Sequence, residues 1–187
     1  VNTHPQDERL LTAPVVALTG FMGAGKSTIG CALSSLLNWS FVDLDCEVER
    51  RSQLAIHEIF ARHGEARFRE LESEALHSAL AAADAPTVIA LGGGTFVQPH
   101  NAELLRAREA QVVFLELKLE QLLQRCRAMS HGAANLRPLA TDEDAFCALY
   151  ERRLPWYRKA ELTVHTHDKT AEQVAREIAA ALGFLRS

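Results

Sequence analysis

Eight consecutive residues, Gly20-Phe21-Met22-Gly23-Ala24-Gly25-Lys26-Ser27, constrain this chain more than any other stretch. They fit G-x-x-x-x-G-K-[ST] and lie where a short apolar run, Pro14 to Thr19, gives way to a segment with Ile29, Leu33, Leu36 and Leu37 at helical spacing. A buried strand that turns through glycines into a helix makes an anion cradle. The glycines let the backbone fold tightly, successive N–H groups and the helix N-terminus point at phosphate oxygens, and Lys26 supplies a mobile charge. Gly23, Ala24, Gly25, Lys26, Ser27 and Thr28 are therefore the candidate nucleotide-phosphate contacts, with the Ser27 hydroxyl on a Mg²⁺ that bridges the terminal phosphates.

Four further apolar runs suit buried strands, at about 40–43, 87–91, 111–117 and 161–166. Helical periodicity fills about 26–37, 55–62, 65–82, 99–108, 119–128, 142–158 and 170–183. This alternation predicts an α/β fold of three layers, α/β/α, around a five-stranded parallel sheet whose functional loops lie at the carboxyl ends of the strands. With 187 residues and 48% hydrophobic composition, one core in one domain spanning 13–187 is expected. The polar segment 1–12 should be a flexible leader to the first strand.

Composition narrows the function further. A net charge of -4 carries no basic excess for a nucleic-acid backbone, so small molecules are the expected partners. Cys31, Cys46, Cys126 and Cys147 form no C-x-x-C pair and read as free thiols, while His165 and His167 read as solvated residues at a strand end rather than metal ligands. No apolar segment is long enough to span a bilayer and no signal core is visible, so a cytoplasmic location is expected, and a monomer.

The remaining candidates cluster after the predicted strands. Asp43 and Asp45 follow the second, and alternation on an extended chain would send both carboxylates toward the phosphate loop, one for magnesium and one for an acceptor; Asp45 acting as the N-cap of a helix beginning near Cys46 is the competing reading. Gly92-Gly93-Gly94 follow the third, where absent side chains let a ligand approach the backbone. Arg69 and Glu72 share a helical face, either as an oriented guanidinium that grips a carboxylate or as a surface ion pair. The segment 131–135, flanked by Arg125, Arg127 and Arg137, reads as a basic flap, and Arg153 sits before Pro155 near the end of a helical pattern.

Taken in order, the loop Gly20 to Ser27, the D-x-D of Asp43 and Asp45, the F-R-x-x-E of Phe68, Arg69 and Glu72, the glycine triplet, the R-P-L at Arg137 and the R-x-P-x-Y at Arg153 resemble the shikimate kinase family, of the nucleoside-monophosphate-kinase-like branch of P-loop proteins. The likeness runs from about Val15 to Leu182. It implies ATP and shikimate as small-molecule substrates, Mg²⁺ as cofactor, and a mobile lid at about 126–140. It also implies residue roles: Asp45 as base and ligand of ring hydroxyls, Asp43 reaching Mg²⁺ through water, Arg69 and Arg153 clamping the substrate carboxylate, and Gly93 giving a backbone contact beside Gly92 and Gly94. Phe60 and Phe68 would wall the ring, Glu72 would fix Arg69, Arg137 would approach the transferring phosphate, and Arg125 would lie against adenine. Lys26, Asp45 and Arg137 are then the catalytic set. The lid reads Arg137-Pro138-Leu139-Ala140 where a second leucine is usual. A related small-molecule kinase, such as one acting on gluconate, and a non-catalytic nucleotide-binding module of the same fold are the alternatives.

Overall fold

The structure, a computed structural model, describes residues 13–130 and 142–185. The leader 1–12, most of the expected lid and Arg137 lie outside the described residues. Five strands, β1 (Val15–Thr19), β2 (Ser40–Asp43), β3 (Thr87–Ala90), β4 (Gln111–Glu116) and β5 (Leu162–His165), form one parallel sheet in the order β2-β3-β1-β4-β5. The helices are α1 (Lys26–Leu37), α2 (Leu44–Ser52), α3 (Ile56–Ala81), α4 (Pro99–Ala107), α5 (Leu119–Ser130), α6 (Glu143–Tyr157) and α7 (Ala171–Ala181).

Alternation along each strand sends side chains to both faces, and each face has its own core. Val16, Leu18, Val88 and Val113 pack with Leu33 of α1, Leu122 of α5, Phe146 of α6 and Ile178 of α7. Val15, Ala17, Ile89 and Val112 pack instead with Val48 of α2, Leu76 of α3 and Leu105 of α4. Burial on both sides is what makes these strands read as continuous apolar runs.

Two details of the helices bear on the site. Gly64, at φ 77° and ψ 177°, breaks α3 into two arms, which matches the two helical patterns at about 55–62 and 65–82. Helix α2 is the element that periodicity left out: only Leu44 and Val48 of its nine residues are buried, so its apolar face is a single i, i+4 pair.

Candidate active site

Strand β1 lies at the centre of the sheet, between β3 and β4; the chain runs from β1 through α1 to β2 on one side and from β3 through α4 to β4 on the other. Ligands in open α/β sheets bind at such a switch point, beyond the carboxyl ends of the strands. Register sets Leu18 and Asp43 both opposite Ala90, so the loops after β1, β2 and β3 open at one level.

The loop after β1 takes a shape that its sequence requires. Gly20, Gly23 and Gly25 have φ of 148°, 80° and 90°, values that L side chains rarely adopt. Gly25 is the residue before α1, and Ile29 N–H donates to its carbonyl at 2.8 Å. The Lys26 ammonium lies over the loop, donating to the carbonyls of Gly20 at 3.0 Å and Phe21 at 3.1 Å. From α5, Arg125 donates to the Gly23 carbonyl at 3.2 Å, and Cys126 Sγ reaches the Met22 carbonyl at 3.8 Å. Ser27 and Thr28 are exposed at the start of α1, and Ala24 is buried beneath the turn.

The two aspartates sit differently from the extended-chain expectation. Asp43 ends β2 and is itself the N-cap of α2, its Oδ1 accepting from Cys46 N–H at 3.2 Å. Asp45 is in the first turn of α2, where a carboxylate is favoured by the helix dipole. Extended alternation therefore does not aim the pair; a helix does. Asp43 Oδ2 still meets the phosphate loop, accepting from Ser27 Oγ at 2.5 Å. Asp45 turns instead to the glycine triplet, with Oδ1 2.8 Å from the position a Cβ on Gly92 would take. The adjacent Ser27 hydroxyl and Asp43 carboxylate are hard oxygen donors of the type Mg²⁺ takes. Among the described residues no group of three or more His, Cys, Asp or Glu could hold a metal, so phosphate and water oxygens would have to fill the remainder of a Mg²⁺ shell here.

Across from these, α3 carries Arg69 and Glu72. Glu72 is 1% exposed and accepts from Arg69 Nη1 at 2.8 Å and Thr95 Oγ1 at 2.7 Å. Burial lifts the Glu72 carboxyl above its ordinary pKa, with Arg69 and Thr95 pulling the other way. Burial also opposes the Arg69 charge, but Glu72 and Glu65 outweigh it and raise the guanidinium above its ordinary value. This is not a surface ion pair of little consequence: the carboxylate is buried and the guanidinium lies flat against Gly94, where a Cβ would stand 2.4 Å from Nη1 and 2.7 Å from Cζ. Gly92 is equally closed, since a Cβ there would stand 2.3 Å from Glu72 Oε1.

The second arginine arrives from α6. Arg153 Nη1 donates to the Gly93 carbonyl at 3.2 Å, and its guanidinium sits 5.9 Å from the centre of the Phe21 ring. The buried Tyr157 hydroxyl donates to the same carbonyl, and burial pushes its pKa up to about 12, so it stays protonated. Two guanidinia thus lie over adjacent glycines, and at Gly93 a Cβ would stand 3.7 Å from Met22 N and 3.8 Å from the Gly20 carbonyl oxygen of the phosphate loop. Phe68 is buried and Phe60 is 39% exposed, their ring centres 4.7 Å apart, with the Arg69 guanidinium 5.1 Å from the Phe68 ring.

Thr95, Asn101 and Tyr157 belong to this arrangement although sequence reasoning gave them no role. Asn101 Nδ2 donates to the Thr95 carbonyl at 3.1 Å, which extends the network from Arg69 through Glu72 and Thr95 into α4. Thr95 follows the triplet directly, and Tyr157 stands four residues, one helical turn, beyond Arg153; those were the available signals.

Known proteins resemble this chain over most of its length. A family model described as shikimate kinase matches residues 22–183. The shikimate kinase of Moorella thermoacetica is 43% identical over 169 residues, 89% of this chain and 93% of the relative. The solved structure of the shikimate kinase of Acinetobacter baumannii, in complex with shikimate, superposes with a TM-score of 0.81 at 34% identity, covering 94% of this chain and 97% of that one. That of Aquifex aeolicus gives 0.78 at 36% identity, covering 90% and 96%. A gluconokinase from Sinorhizobium meliloti shares the fold at 17% identity and a TM-score of 0.60.

Proposed function

This chain belongs to the shikimate kinase family, and we propose, on that premise, how its residues carry the transfer of the ATP γ-phosphate to the 3-hydroxyl of shikimate. The observation that carries the reading is the pair of guanidinia, Arg69 and Arg153, seated over Gly94 and Gly93, with Gly93 beside Met22 and Gly20 of the phosphate loop. A planar carboxylate matches such a double clamp, because each guanidinium offers paired donors in a fixed fork.

The chain's own groups divide the work. The loop N–H groups and Lys26 hold the β- and γ-phosphates, and Arg137 supplies further positive charge to the transferring group. Arg69 and Arg153 fix the acceptor by its carboxylate, with the Gly93 backbone beside it, while Phe60 and Phe68 cover the apolar ring face. Asp45, over Gly92, orients the ring hydroxyls and accepts the proton as the hydroxyl oxygen attacks in line. Ser27 directly and Asp43 through water would hold Mg²⁺, which when bound neutralises charge on the phosphates. Arg125, bonded to the Gly23 carbonyl, would lie against the adenine. Positioning and electrostatics therefore supply most of the rate.

The test is an ADP-release assay with ATP, Mg²⁺ and either shikimate or gluconate. Turnover with shikimate alone supports the reading, and turnover with gluconate alone overturns it. Lys26→Ala should cut kcat by about 10²- to 10³-fold while the melting temperature holds, because Lys26 serves phosphate rather than the core; near wild-type kcat in that variant would remove Lys26 from the chemistry.

A further inference from the structure

Arg69 is surrounded by two carboxylates of different kinds. Glu72 is 1% exposed and bonded to Thr95 as well, so it is a fixed part of the interior. Glu65 is 66% exposed, and its Oε1 accepts from Arg69 Nε at 3.3 Å and from Nη2 at 3.1 Å. Three of the five guanidinium donors are thereby engaged, two of them by the exposed Glu65, so an incoming carboxylate that seeks Arg69 meets a carboxylate already bonded there.

From this we propose that Glu65 is a built-in competitor for the acceptor's carboxylate: it occupies Arg69 in the free enzyme and is exchanged for shikimate on binding. The inference rests on the reading that Arg69 receives the acceptor's carboxylate. The position of Glu65 suits it to leave. It follows Gly64, whose φ of 77° and ψ of 177° interrupt α3, so Glu65 opens the second arm of that helix, where unpaired N–H groups and the dipole favour a carboxylate in solvent. Binding is then an exchange of one carboxylate for another on Arg69. It keeps the local charge count constant and leaves the Glu72–Thr95 support intact. The same device disfavours neutral ring polyols, which cannot displace Glu65 by charge.

The test compares wild type, Glu65→Gln and Glu65→Ala on two probes: shikimate as substrate and its neutral methyl ester as a competitive inhibitor. Removing the charge should lower the shikimate KM about three- to tenfold, the size expected of one partly screened charge at contact range, with the ATP KM unchanged and the ester Ki unmoved. An unchanged or raised shikimate KM overturns the proposal, as does an equal gain for the ester, which would mark general loosening of the site. Glu65→Ala serves as the second variant if the glutamine amide restores the contact. Arg69→Ala, assayed alongside, separates the two failures. A wild-type shikimate KM there would overturn the clamp itself, whereas a raised KM there with no response at Glu65 overturns only the competitor.

Discussion

Gly94→Ala isolates how closely the acceptor side is packed. The new Cβ would stand 2.4 Å from Arg69 Nη1, about 1 Å inside the roughly 3.5 Å at which nonbonded heavy atoms rest. The obstructing group is the end of a flexible side chain, so the fold survives and the guanidinium moves. A displacement of about 1 Å stretches the 2.8 Å bond to Glu72 beyond hydrogen-bonding distance, and the buried carboxylate keeps only Thr95. The expected cost is about 1–3 kcal/mol of stability. Misplacement of the clamp by the same distance should raise the shikimate KM by about 10²-fold, or about 2.7 kcal/mol, with the ATP KM within about twofold. Steady-state kinetics with each substrate varied at saturating partner, together with thermal melts, measure both. A double-mutant cycle with Arg69→Ala decides the cause: if Gly94→Ala acts by pushing Arg69 aside, it should add little once Arg69 is gone. Full additivity, or a wild-type shikimate KM in Gly94→Ala, would refute the reasoning.

Two other outcomes are expected. Tyr157→Phe removes one of the two donors to the Gly93 carbonyl, so the shikimate KM should rise about five- to tenfold and stability fall by about 1 kcal/mol, read by kinetics and melting; Arg153 remains as the other donor. Glu47 is held at a pKa of about 2, against an ordinary 4.5, chiefly by hydrogen bonds from Arg50 and Arg51. A depressed carboxylate contributes stability above its unfolded pKa and loses it as pH falls through the folded one. The melting temperature of Glu47→Gln should therefore lie below wild type at pH 6, and the two should converge between about pH 4.5 and 2; solvent around Arg50 keeps the difference small, and added salt should shrink it.

The legible parts of the site were those whose requirements are local. Positive φ at Gly23 and Gly25 is written as glycine, and β1, β3 and β4 are buried on both sheet faces, so each of those three reads as an apolar run. Helix α2 was legible only as the competing reading of a helix beginning near Cys46, because two buried residues do not make a period and its C-cap is Gln53 in the left-handed region rather than a glycine. That omission misread the geometry of Asp43 and Asp45: the cap belongs to Asp43, which also accepts from Ser27, and Asp45 is aimed by the helix.

The sequence by itself determined the phosphate loop, the succession of strands and of helices other than α2, and the residue types for holding a nucleotide and an anionic acceptor. These follow from backbone preference and periodicity within a few residues of each position. Only the tertiary structure decided that Arg69 and Arg153, 84 positions apart in sequence, lie over neighbouring glycines. It also decided that Gly92 and Gly94 are closed by Glu72 and Arg69, and that Glu65 shares a guanidinium with Glu72. The physical reason is that strand order and the close packing of helices on the sheet create contacts between distant segments, which no local pattern encodes.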